Sequence, residues 1–167
     1  MRFSILLLCF LSSVSYGQTI GVNDLLEMKL IKDKVSPGPL FNYLDKKGLE
    51  TGRTFKDSTG VFVWYAYHAV DTVEHKASIL WKTMIDAVRL SIDPDGYFVG
   101  SAITDKVGVY NRWFDDLAKN RFLMLKKEGE EKDPVNFQYF SNGNYFAILA
   151  SNLTEYGRRY ELTIIDK

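Results

Sequence analysis

The chain has 167 residues, 46% of them hydrophobic and 25% charged, an ordinary globular composition that excludes a disordered or collagen-like chain. Lys plus Arg and Asp plus Glu both number 21, so the formal charge is zero and no basic surplus exists to draw a nucleic-acid backbone onto the surface.

Residues 1–17 read as a secretory signal. Arg2 supplies the positive start, Ile5 to Leu11 is an unbroken apolar run, and Ser15 and Gly17 are small at the cleavage-determining positions. Export with cleavage between Gly17 and Gln18 is expected, leaving residues 18–167 as one periplasmic or extracellular α+β domain. The apolar run is far shorter than the roughly 20 residues of a membrane-spanning helix, so no transmembrane segment is predicted. Cys9, the only cysteine, lies inside the signal. The mature chain would then hold together through its core alone, without disulfides.

Asn23 is a suitable N-cap for a short helix to about Ile31, with Val22, Leu25, Leu26 and Leu30 at helical spacing. Ser36-Pro37 predicts a second helix start, with Leu40, Phe41 and Leu44 as its buried stripe and Gly48 at its end. Strands are predicted over Val61 to Ala69, Arg121 to Lys127 and Arg159 to Ile165. Lys76 to Ile92 fits either periodicity and is taken as strand. Asp93-Pro94-Asp95-Gly96 is a turn into a strand over Tyr97 to Ile103. Between these runs a third helix is marked by Tyr110, Trp113, Phe114 and Leu117, capped by Thr104 or Asp105, with Asn120 at the left-handed position beyond its end.

Asn142-Gly143 suits the two central residues of a type I′ hairpin. That register sets Phe140 opposite Tyr145, Tyr139 opposite Phe146, Gln138 opposite Ala147 and Phe137 opposite Ile148. Phe137, Tyr139, Phe146 and Ile148 are then expected on the core side, with Phe140 and Tyr145 on the outer one.

Helix followed by strands occurs twice, suggesting tandem halves of about residues 22–92 and 104–167. Leu44 to Leu49 matches Leu117 to Phe122 at a spacing of 73, and Phe62-Val63-Trp64-Tyr65 matches Phe137-Gln138-Tyr139-Phe140 at 75. Carrying the hairpin register across puts Phe62 and Trp64 in the core and Tyr65 and Tyr67 outside. This layout resembles the β-lactamase-inhibitor-protein-like and TATA-binding-protein-like architectures, whose tandem helix-plus-sheet halves form one curved antiparallel sheet. The resemblance implies the fold and no partner. A cystatin-like or nuclear-transport-factor-like cone is the alternative architecture. The signal junction resembles those of small exported proteins of Gram-negative envelopes.

Sites for chemistry are sparse. His68 and His75 are the only histidines, and their odd spacing puts them on opposite faces of a strand, so no metal site is expected. The turn at Asp93 lacks two acids of a calcium loop: Ser91 and Ala102 stand where they belong. Asp115-Asp116 on a helix diverge by about 100°. Gly100-Ser101 lacks the second glycine of a nucleophile elbow. No catalytic residue and no cofactor are predicted. The expected function is a non-enzymatic binding module for a protein or an envelope glycan, with Tyr65, Tyr67, Phe140 and Tyr145 forming an aromatic sheet face bordered by Arg159 and Glu161. A carrier of a small apolar ligand and a hydrolase are the alternatives.

Overall fold

In the computed structural model, which describes residues 19–31, 38–56, 58–67, 86–95, 97–155 and 157–167, two helices open the chain: α1 (Val22–Ile31) and α2 (Gly38–Lys46). Four strands follow, β1 (Glu50–Lys56), β2 (Phe62–Tyr67), β3 (Asp86–Ile92) and β4 (Phe98–Thr104). Helix α3 (Val107–Lys119) then leads to β5 (Leu123–Glu128), β6 (Val135–Ser141), β7 (Tyr145–Thr154) and β8 (Gly157–Asp166). The strands form one sheet in the order β1-β2-β3-β4-β8-β7-β6-β5, antiparallel at every pairing. The fold is α+β. Residues 1–17, Ser36-Pro37, His68, His75 and the stretch from Lys76 to Ile85 lie outside the described residues.

The helices bury one face of the sheet. Leu25 and Met28 of α1, Leu40 and Leu44 of α2, and Val109, Trp113 and Leu117 of α3 pack with Val88, Leu90, Phe98, Ala102, Leu149, Leu162 and Ile164. Gly100 of β4 faces α1, where a Cβ would meet Leu25 in ordinary contact at 3.4 Å. On the face away from the helices, Val63, Tyr65, Ala87 and Ile103 form a smaller buried cluster.

The two halves repeat one another in backbone detail. The amide of Leu49 donates to Leu44 O, and that of Phe122 donates to Leu117 O, each at 3.0 Å. Gly48 (φ 76°) and Arg121 (φ 61°) occupy the left-handed position in front of them, so both helices end in the same Schellman turn, 73 residues apart. The next strand of each half then takes a register shift after Thr51 or Met124 respectively, positions also separated by 73. Following the pairings outward from Thr51–Ala66 and Met124–Phe140 equates three cross-strand rows. Ala66-Val88-Ala102 corresponds to Phe140-Ala147-Ile164, Trp64-Leu90-Gly100 to Gln138-Leu149-Leu162, and Phe62-Ile92-Phe98 to Asn136-Ser151-Tyr160. The pseudo-twofold axis passes between Ser101 and Thr163, which face each other where β4 meets β8 and whose hydroxyl oxygens are 2.8 Å apart.

Several local expectations are corrected. Helix α1 begins at Val22, and Asp24 accepts from the Gly21 amide at 2.8 Å, which is the back-bonding half of a capping box; Asn23 instead accepts from Asn120. Lys106 precedes α3 with no side-chain cap, and the left-handed residue after α3 is Arg121 rather than Asn120. The hairpin turns one residue later than Asn142-Gly143 implies. The Asn142 amide donates to Tyr145 O, Gly143 has φ 93°, and Asn144 keeps a negative φ, so glycine sits at the first central position as in a type II′ turn. Asn142 Oδ1 takes the amides of Asn144 and Tyr145, which holds the shifted turn in place. The pairing therefore moves by two, setting Phe140 opposite Ala147 and Tyr139 opposite Ile148.

Asp24 also clasps α1 to α2. It accepts from Tyr43 Oη at 2.8 Å and lies 2.7 Å from Lys47 Nζ. Burial alone would raise its pKa, but the bonds from Lys47, Gly21 and Tyr43 together hold the carboxyl below its ordinary value. A folded pKa below the unfolded one contributes stability above the unfolded value, and that contribution is lost as pH falls through the folded one. Asp24→Asn is thus expected to flatten the pH dependence of the urea midpoint below about pH 4. Parallel wild-type and variant curves there would show that the clasp contributes nothing.

Candidate ligand cavity

Beneath the first half of α3 the packing between helix and sheet opens into a cavity of about 270 Å³. Its floor is the row Asn136, Ser151 and Tyr160 on neighbouring strands β6, β7 and β8, with Gln138 one step along β6. Tyr110 and Phe114, one helical turn apart on α3, form the roof. The formally charged lining residues, Lys127 and Glu131, are exposed at the rim.

Each wall residue is fixed by its neighbours. Tyr110 stacks at a tilt on Tyr160 with centroids 4.4 Å apart and meets Phe114 edge-on at 5.3 Å; Phe114 in turn meets Phe140 edge-on at 5.8 Å. Gln138 Nε2 donates to Tyr110 Oη at 3.0 Å. Arg158 Nη1 donates to Ser151 Oγ at 2.8 Å, and the same guanidinium holds Asp133 O, tying the β5–β6 connection to β8. Burial above all, and then the charge of Glu131, push the Tyr110 hydroxyl above its usual pKa, so it remains a proton donor at neutral pH. Gly129, at φ 79°, backs Asn136: a Cβ there would come 2.8 Å from Val135 O and 3.2 Å from Asn136 Cβ.

Asn136 is the anomaly. The residue is 2% exposed and its Oδ1 has no hydrogen-bond partner. An unpaired buried carbonyl costs about 1–3 kcal/mol, and the fold does not require it. In the other half the equivalent row is Phe62, Ile92 and Phe98, and Trp64 stands where Gln138 does. There Phe62 and Trp64 stack at 5.9 Å, and Trp64 meets Phe41 of α2 edge-on at 6.1 Å. Phe41 is the partner, 73 residues earlier, of the roof residue Phe114. The same architecture thus carries rings in one half and, in the other, amide and hydroxyl residues that line a cavity.

The expected aromatic face is not assembled. Phe140 is buried at 5% and Tyr145 half-buried, both on the helix side of the sheet. Tyr65 is buried at 6% on the opposite face, in the cluster with Val63, Ala87 and Ile103. Tyr67 closes β2, and its side chain lies outside the described residues. Arg159 and Glu161 are half-buried on β8, where Glu161 pairs with Arg89 of β3. The core side expected for Phe137, Tyr139, Phe146 and Ile148 is likewise inverted, since all four are half-buried on the face away from the helices. The cavity residues escaped the sequence reading because Asn136 and Gln138 alternate with Phe137 and Tyr139, and polar-against-aromatic alternation reads as polar outward. The signal that points inward is the alternation Tyr160, Leu162, Ile164 in β8, which pairing through β7 places on the same side as Gln138 and Phe140. No protein-family model matches the chain, and no curated protein matches it.

Proposed function

We propose that the chain is an exported, non-enzymatic binding module that seats its ligand in the cavity beneath α3. The observation that carries this reading is the unpaired Oδ1 of Asn136, a residue that lines a cavity of about 270 Å³. A buried polar group left unsatisfied beside a cavity calls for something that bonds to it. The wall offers amides, hydroxyls and rings, which hold and orient a ligand. Export rests on the apolar stretch Ile5 to Leu11 and the small residues at Ser15 and Gly17.

The test is a saturation-transfer NMR screen of the mature chain against neutral glycosides, amino-acid amides, alkyl alcohols and fatty acids. The double variant Asn136→Phe/Ser151→Ile, which copies the other half, is expected to fold at least as stably as wild type and to lose the ligand. Tyr139→Ala, on the face away from the helices, is expected to keep it. A ligand held equally by wild type and the double variant places the site elsewhere. A fatty acid favoured over every polar ligand supports the apolar-carrier reading instead.

A further inference from the structure

We infer that the cavity takes one uncharged sugar ring, free or at the end of a glycan; this deepens the binding-module reading and rests on it. The argument is an inventory of unspent hydrogen-bonding capacity. Asn136 Oδ1 is an acceptor without a donor, and because the atom is covered the amide must turn toward the cavity to meet a ligand. Ser151 Oγ already accepts from Arg158, and Tyr110 Oη already accepts from Gln138, so the protons of both hydroxyls are available to donate. A ligand satisfying this wall must both donate and accept. A carboxylate has no proton for Asn136, and an ammonium group cannot accept from Ser151 and Tyr110. Hydroxyl groups do both.

Geometry narrows the class further. Asn136 and Ser151 are direct cross-strand partners, so their polar groups are spaced by roughly the 4.8 Å between strands, the kind of separation found between hydroxyls on alternate carbons of a six-membered ring. Phe114, Tyr110 and Tyr160 supply aromatic surface for the C–H face such a ring also carries. The volume, just under the usual range for ligand pockets, suits one ring rather than a chain of them.

The experiment titrates the mature wild-type chain with methyl β-glucopyranoside and methyl N-acetyl-β-glucosaminide while following the side-chain amide resonance of Asn136, identified by its absence in Asn136→Leu. Cyclohexanol, glucuronate and N-acetylglycinamide are the comparison probes. A saturable shift with a dissociation constant of about 1 mM, as befits a single ring, is expected for at least one glycoside. Asn136→Leu should weaken that glycoside's binding about tenfold or more. Tighter binding of an oligosaccharide with the same terminal sugar would identify a glycan end as the source, and equal binding a free sugar. If neither glycoside moves the Asn136 resonance at roughly ten times that concentration, the sugar assignment is overturned. Should cyclohexanol or N-acetylglycinamide move it in their place, the cavity stands as a binding site and only the ligand class falls. If no probe in this set or in the broader screen moves it, both readings fall together.

Discussion

Trp113→Ala is expected to remove about 3–5 kcal/mol of stability, a large part of what a domain of this size possesses. Trp113 is 2% exposed and stands between Val109 and Leu117 in the buried stripe of α3. Its indole Nε1 donates to Ile20 O at 2.9 Å, fastening the segment before α1 to the third helix. Truncation opens a cavity the surrounding backbone cannot collapse into and leaves the Ile20 carbonyl without its donor. Trp113→Phe separates the two effects in part, because it keeps much of the volume while losing the bond, whose loss alone costs about 1–3 kcal/mol. Urea denaturation of the three proteins measures this directly. A loss under about 1 kcal/mol for Trp113→Ala would mean that α3 is not anchored as described. Since α3 also carries Tyr110 and Phe114, ligand binding is expected to disappear with the anchor.

The second large effect belongs to Lys29, a lysine in α1 with only 2% of its side chain exposed. Its Nζ donates to Phe98 O at 2.6 Å and to Asp166 Oδ2 at 3.0 Å, and sits 5.3 Å from the centre of the Phe98 ring. Removing one partner of a fully buried ion pair costs about 3–5 kcal/mol. Asp166 is 37% exposed, so water takes up part of its charge and Lys29→Ala is expected nearer 3 kcal/mol. Lys29→Met fills the space of the aliphatic stem but still strands the Phe98 carbonyl, for about 1–2 kcal/mol. Chemical denaturation at low and high salt checks both figures, and the wild-type advantage should persist in salt because the ammonium is shielded from it. If the methionine variant equals or exceeds wild type, the lysine holds α1 in place without stabilising the fold.

The parts of this architecture legible in the sequence are those set by local chemistry. Tyr110, Trp113, Phe114 and Leu117 announce α3 because helical spacing needs no partner to be recognised. Gly48 ends α2 as expected for a residue free to adopt positive φ. What depended on pairing was harder to see. Phe137, Gln138, Tyr139 and Phe140 alternate cleanly, yet alternation tells which residues share a side and leaves open which side is buried. Matching Phe62 to Phe137 was also one residue out, since the strand pairings equate Phe62 with Asn136. Two inversions then cancel for Trp64, which packs against the helix-side core as expected, whereas Phe62, expected in the core, is 43% exposed. The cavity was hidden for the same reason, its polar row lying where an averaged pattern expects apolar side chains.

Seven pairings hold the sheet, and six join strands that follow one another along the chain. Five of those six have short connections and can zip at little cost in loop closure, while residues 68–85 separate β2 from β3. The seventh, β4 with β8, must wait until the chain has returned from α3 through β7, so the slow step of refolding is set at the Ser101–Thr163 junction. Until it closes, β4 and β8 each present an unpaired edge able to accept the same strand of another molecule. Exchange of whole halves between two chains is therefore the misassembly to which this topology is prone, and dilution during refolding is the condition that suppresses it.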